Sequence, residues 1–505
     1  MLIGILLIAG SIFLLQKWIY SYWTRRGIPQ LNPSFPFGDV SDTFKQRKSY
    51  AQRTADLYNQ AVRSGYRFAG IYTLFQPVLL ITDAELVKRI LTVDFEHFQD
   101  RGVHVNERRD PLSAHLFSLA GAKWRRMRWK LSPAFTTAKL KAMFPTMMDC
   151  GRTLSTVIDR HLDQPMDIRD LMTRFTMDVI ASVGFGVECN SLEKPDEVFR
   201  RLGMKFFSKS WKTSVRMLMA FVAPKINRFL QVKLVDDDVE EYMLELVRDT
   251  IARREGGGVV RKDFIQMLVQ LRNQVELTER WEMDKVDHKK SLTVEEMAAQ
   301  SFVFLNAGYE TTSSTITFCL FELCRNREHL ARVVGEIDRV LEGREISYET
   351  IGEMTYLETC IDETLRKYPI SPVLFRKCTK PYKIPETEVV VEKGTLIHIP
   401  LLGLQYDARY YEDPLKFDPD RFAERSGDSL PYYSFGVGPR ICIGLRMGKV
   451  MAKMALVELL SRYDFVLDST VPDGEIELDP SLLMLQPKQN ILLIPKKRVT
   501  CARDH

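Results

Sequence analysis

Apolar positions run almost unbroken at the start of the chain and then settle into helical spacing. Met1 to Leu15 carries no charge, Lys17 interrupts, and WIYSYW follows before Arg25 and Arg26. About twenty helical residues cross a hydrocarbon core of roughly 30 Å. The run therefore predicts a retained, single-pass membrane anchor over 1–24, with Trp18, Tyr20, Tyr22 and Trp23 as an interfacial aromatic belt. Basic residues on its C-terminal side place the rest of the chain on the cytoplasmic face. Neither a positive leading region nor a small-residue cleavage site marks a cleaved leader. Gly27, Pro29, Pro33, Pro36 and Gly38 then predict a stiff, non-helical hinge over 25–38.

Beyond the hinge, 47–64 reads as helix and 68–81 as two short strands around a turn at Gln76–Pro77. Asp83 is a plausible cap for the next helix. The stretch 99–111 is polar and irregular. Helical spacing recurs over 121–135 and 171–183, over 208–229 with a break at Pro224, and over 236–254, closed by Gly256, Gly257 and Gly258. Residues 273–290 are highly charged and read as a surface segment. Thr293 and Glu296 form a capping-box pattern, and no proline follows until beyond Arg325. A helix of about 32 residues would be about 48 Å long. It is apolar on most faces, so it belongs in the centre of a large domain. Helices over 330–341, 354–368 and 445–463, with short strands between and after them, complete the pattern.

The 505 residues suggest roughly three domains. With no repeat and no linker after residue 38, the pattern instead predicts one large, mainly α domain with a minor β component over 39–505. The 45% apolar content excludes global disorder, and the 8 scattered cysteines exclude a disulfide scaffold. The net charge of +5 is a weak basic excess and does not by itself argue for nucleic acid.

Four stretches carry chemistry. In Phe435-Gly436-Val437-Gly438-Pro439-Arg440-Ile441-Cys442-Ile443-Gly444, glycines and a proline surround a cysteine that precedes a helix. Such a run allows close approach of a flat ligand, and the helix dipole favours a thiolate. No Cys or His lies at clip spacing, which argues against a four-ligand zinc site. One thiolate can instead be the axial ligand of haem iron; a buried or reactive cysteine in a glycine loop is the plain alternative. Glu363 and Arg366 share a helical face and can pair, as many surface pairs do. Ala307-Gly308-Tyr309-Glu310-Thr311-Thr312 puts a charge inside the long apolar helix, as a polar patch or as a kink at Gly308 that leaves room for dioxygen. Lys123 to Lys130 holds five basic residues in eight, interleaved with tryptophan. No zinc finger or broader basic stripe supports nucleic-acid binding there.

Together and in this order, these stretches resemble the signature motifs of the cytochromes P450, most closely the insect microsomal enzymes of detoxification type. The resemblance covers nearly the whole chain. It implies the cytochrome P450 fold and haem b, with Cys442 as the iron ligand and Phe435 near the thiolate. Trp124, Arg128, Arg376 and Arg440 are implied to contact the propionates. Glu363, Arg366 and Arg421 are implied to form a structural network that holds the cysteine loop. Thr311 would hold dioxygen and Glu310 would support proton delivery. By family placement the substrate pocket draws on His115, Phe117, Phe302, Phe304, Ala307, Val373, Leu374 and Leu482 to Met484, including Leu483, although any one of these could be plain core. The implied reaction is monooxygenation of lipophilic xenobiotics such as insecticides or plant toxins, in the endoplasmic reticulum membrane. Electrons would come from NADPH-cytochrome P450 reductase, docked on the basic helix, with cytochrome b5 as a further partner. O2 and membrane lipid complete the expected partners; nucleic acid does not join them. An endogenous steroid, hormone or fatty acid substrate is the rival, and a non-catalytic haem sensor is a rival of another class.

Overall fold

The computed structural model describes residues 2–256, 261–273, 291–423, 430–472, 474–481 and 483–498. Residues 274–290 of the charged segment expected over 273–290, Gly257, Gly258 and Leu482 of the expected pocket lie outside them. The fold is mainly helical and is organised around Val294–Arg325, a single helix of 32 residues. Its start is closed as the sequence predicts: Thr293 Oγ1 accepts from Glu296 N, and Glu296 Oε2 accepts from Thr293 N. Because its side chains are apolar all round, it is covered all round. Ile168–Ile180, Asp237–Glu255, Thr355–Lys367 and Leu445–Leu460 pack against it. The helix is continuous through Gly308. A Cβ at Gly308 would lie 2.5 Å from Ile180 Cδ1, so glycine serves close helix packing at this position.

Thr137–Asp159 is a helix that sequence pattern passes over. Pro145 interrupts the pattern, yet the helix continues, buried through Leu140, Met143, Phe144, Met147 and Met148. The main sheet has four strands, in the spatial order Phe68–Thr73, Gln76–Ile81, Leu396–Pro400, Val373–Lys377. Its second and third strands run parallel and the outer pairs antiparallel. The first turn falls at Leu74–Phe75 rather than at Gln76–Pro77, since Thr73 pairs with Gln76. Pro77 is tolerated because the partner on the other side pairs only from Val78 onward. A smaller sheet joins Tyr463–Leu467, Leu492–Lys497 and Met166–Asp167.

The N-terminal expectation is corrected. The first helix, Leu2–Ile19, has 18 residues, and among the described residues no helix is long and apolar enough to cross a membrane. Two of the aromatic residues read as an interfacial belt, Tyr20 and Trp23, instead pack against the sheet, while Trp18 stays exposed. Trp23 is 1% exposed; its indole N–H donates to the Ile71 carbonyl at 3.1 Å, and its backbone N–H to the Tyr72 hydroxyl at 3.3 Å. Tyr20 is buried, and its hydroxyl donates to the Leu74 carbonyl. A Cβ on Gly70 would lie 2.2 Å from the Trp23 ring, so the strand leaves a slot for that ring. The apolar run therefore divides into a short helix and a folded segment. With it go the single-pass anchor, the endoplasmic reticulum and microsomal placement and the cytoplasmic-face topology. The segment expected as a hinge is hydrogen-bonded to the same strand, Gly70 N donating to the Pro29 carbonyl and Leu31 N to the Gly70 carbonyl.

Trp23→Ala should destabilise the protein by about 3–5 kcal/mol, the range for truncating a buried aromatic. A thermal melt checks this; an unchanged melting temperature would mean that the ring is not part of the core.

Candidate active site

The glycine-rich run before the final helix forms a tight backbone loop. Gly436 and Gly438 both have positive φ, at 70° and 73°, and a Cβ on Gly438 would meet the Leu91 carbonyl oxygen at 2.1 Å. Cys442 N donates to the Phe435 carbonyl at 2.9 Å, closing the loop just before Leu445–Leu460. Cys442 is exposed, but to an interior cavity of about 420 Å³. Among the described residues it is the one cysteine that lines it. Burial raises its thiol pKa; the Gly444 N–H and the charges of Arg101 and Arg128 oppose that rise.

One edge of the cavity gathers four arginines: Arg101, Arg128, Arg376 and Arg440. Burial lowers the pKa of each, and neighbouring guanidinium charges add to this for Arg101 and Arg440. Arg440 falls to about 9 and Arg376 to about 10. Arg440 is held by backbone: its Nε donates to the Gln99 carbonyl and its Nη2 to the Leu119 carbonyl, both at 2.8 Å, and its plane lies 4.0 Å over the Trp124 ring. Arg128 donates to the Ile441 carbonyl at 3.0 Å, tying the basic helix Gly121–Leu131 to the cysteine loop. Arg376 donates to the Phe375 carbonyl, while among the described residues its buried Nε has no partner. A cluster of buried cations with an unmet donor fits a dianion. With the accessible Cys442 in the same cavity, these residues fit haem b, whose two propionates would meet the arginines.

Most of the other expected residues meet here too. Trp124, Phe435 and Thr311 line the cavity. So do His115, Phe117, Phe302, Phe304 and Ala307, and across from them Val373, Leu374 and Leu483. Ala307 is exposed within a helix otherwise buried around it, so the helix opens to the cavity there. Phe304 stacks on Phe264 with centroids 4.5 Å apart, which makes it a packed wall. Burial, with Arg101 beside it, pushes His115 down to about 3, so its imidazole stays neutral. Glu310 does not line the cavity: its carboxylate is buried and bonded to Gln486, Arg169 and Ser314. Arg101 is the residue that sequence pattern missed, since a single basic residue in an aperiodic loop carries no signal.

Behind the loop, Glu363 and Arg366 are fully buried and form two hydrogen bonds, at 2.7 and 2.8 Å. Arg421 Nε lies 3.5 Å from Glu363 Oε1. Arg366 also donates to the carbonyls of Gln405 and Lys416, and Glu363 accepts from Asp418 N. Ser434, one residue before Phe435, donates to the Leu365 carbonyl on the same helix. The basic helix is less open than its composition implies. Lys123 and Arg126 pair with Glu107 and Glu296, Lys130 is buried, and Arg128 faces the cavity.

A cytochrome P450 family model matches residues 43–494. The chain belongs to the cytochrome P450 family. It is 39% identical to a probable cytochrome P450 6d4 of Drosophila melanogaster, over 99% of this chain and 98% of that one. It is 38% identical to a probable cytochrome P450 6a14 of the same fly, over 92% of each chain. A cytochrome P450 6d3 of Musca domestica is also 38% identical, over 90% of this chain and 91% of that one. This P450 is therefore a haem-thiolate monooxygenase that binds haem b through a cysteine thiolate. As a family member it needs a reductase, O2 and a lipophilic substrate.

Glu363→Ala should cost about 3–5 kcal/mol, because it strands the buried Arg366 charge. Thermal melting and haem absorbance per protein chain report it; retention of both would show that the network does not hold the loop.

Proposed function

We propose that this P450 oxidises lipophilic xenobiotics of the insecticide or plant-toxin kind, with NADPH-cytochrome P450 reductase as the electron donor and Cys442 as the cysteine that holds haem. The observation that carries this is the pairing of Cys442 with a cavity walled by phenylalanines and other apolar side chains. Its aromatic and thioether lining includes Phe206, Phe221, Phe302 and Met217, which accommodate varied apolar shapes. When bound, haem b supplies oxygen activation, and a thiolate ligand favours O–O cleavage.

The chain's own residues hold and orient. Arg101, Arg128 and Arg376 offer charge-assisted hydrogen bonds to the propionates. Arg440 fixes the segment from Gln99 to Leu119 and through it the wall that carries His115 and Phe117. Thr311 donates to the Ala307 carbonyl at 2.7 Å, one turn back, and from there its hydroxyl can reorient toward dioxygen in the cavity. Glu310 supports proton delivery. His115, kept neutral, adds one polar point without adding charge. The catalytic unit we assign is 39–505, with 25–38 as its lead-in.

Cys442→Ala should abolish the long-wavelength Soret band that the reduced carbon monoxide adduct of a thiolate-ligated haem gives; a variant that keeps it would remove Cys442 from that role. Turnover on a panel of insecticides, plant toxins, steroids and fatty acids should be broad and should favour the first two classes. Turnover confined to one steroid would overturn the xenobiotic reading.

A further inference from the structure

Glu310 precedes Thr311 by one residue, and consecutive helical positions turn by about 100°. Thr311 therefore lines the cavity while Glu310 does not. One oxygen of its carboxylate, Oε1, accepts from Gln486 Nε2 at 2.5 Å, from Arg169 at 3.3 Å and from the Ser314 hydroxyl at 3.4 Å. Among the described residues Oε2 accepts no hydrogen bond. Of the three donors, only Gln486 also lines the cavity.

Gln486 is held in place. Its carbonyl accepts from Asp479 N at 2.9 Å, and the flanking residues Leu478 and Pro487 form a β-bridge. Leu485 N donates to the Ile370 carbonyl on the cavity wall. Gln486 is 2% exposed, and among the described residues its own Oε1 is buried without a partner. An amide from the terminal hairpin thus reaches between the cavity and a buried carboxylate. It presents a donor to the carboxylate and an unmet acceptor beside it. The Arg169 charge pulls the carboxylate away from the cavity, and the amide holds it from the cavity side.

We infer that Gln486 is a positioning residue for proton delivery. It pins Glu310 by Oε1 and leaves Oε2 as the oxygen that takes a proton from water and returns it toward the cavity. Its unmet Oε1 is a natural acceptor for the water in between. The amide itself gains and loses no proton. The inference rests on the reading of Glu310 as the proton-delivering acid.

The test compares four haem-loaded proteins: wild type, Gln486→Met, Glu310→Gln and the double variant. Gln486→Met keeps the side-chain length and removes the amide. It should raise the peroxide released per NADPH and the solvent deuterium isotope effect on NADPH oxidation, each several-fold. On the Glu310→Gln background it should add nothing. The melting temperatures should be non-additive in the same way, a readout independent of turnover. If Glu310→Gln moves peroxide release and the isotope effect while Gln486→Met does not, or if the two effects add, the inference fails and the reading of Glu310 stands. If Glu310→Gln itself moves neither, that reading fails and the inference with it. Should Gln486→Met lose haem, Gln486→Asn withdraws the amide by one methylene and must move the same readouts in the same direction, or the inference is overturned.

Discussion

Positive charge in a confined, apolar space is the constraint on which the site is built. A guanidinium group in such a place is costly unless anions or carbonyls meet it. Arg440 is met by backbone carbonyls, and that requirement folds the segment from Gln99 to Leu119 around it. Arg128 is met by the cysteine loop, which ties the basic helix to the opposite wall. Among the described residues Arg376 keeps an unmet donor. The charge left over is what a dianionic cofactor would neutralise, and that would link cofactor binding to folding of the cavity edge.

The central helix divides its labour by direction. One face opens at Ala307 and carries Thr311 to the cavity. The adjoining face, about 100° round, carries Glu310 into a buried polar nest. Gly308 sits between, pressed on Ile180. Chemistry and packing therefore alternate within a single turn, and a shift of one residue in that helix would exchange them.

How much of this was legible depended on the kind of signal. The central helix and its capping box could be read because periodicity and a local cap both act within a few residues. The cysteine loop could be read because glycine at positive φ leaves a mark in sequence, as at Gly436 and Gly438. Arg101 and Gln486 could not, since each is placed by contacts far away along the chain. The helix Thr137–Asp159 left no readable pattern, and its burial outweighs the one backbone bond lost at Pro145. The N-terminal aromatic cluster misled: hydropathy records that Trp23 avoids water but not which apolar partner it finds. Glu310 was recognised as a residue, yet its direction off the cavity was beyond any one-dimensional pattern.

The slot that Gly70 leaves for Trp23 decides where this protein can be cut. The core of the catalytic unit is completed by residues ahead of it, since Tyr20 and Trp23 are buried against its first strand. A shortened version started at residue 39 would open an apolar groove beside the first strand and leave its edge without the bonds from Pro29 and Leu31. Exposed strand edge beside an apolar groove is an aggregation surface. Exchange of leading segments between relatives should therefore keep the aromatic pair and its glycine together as one unit.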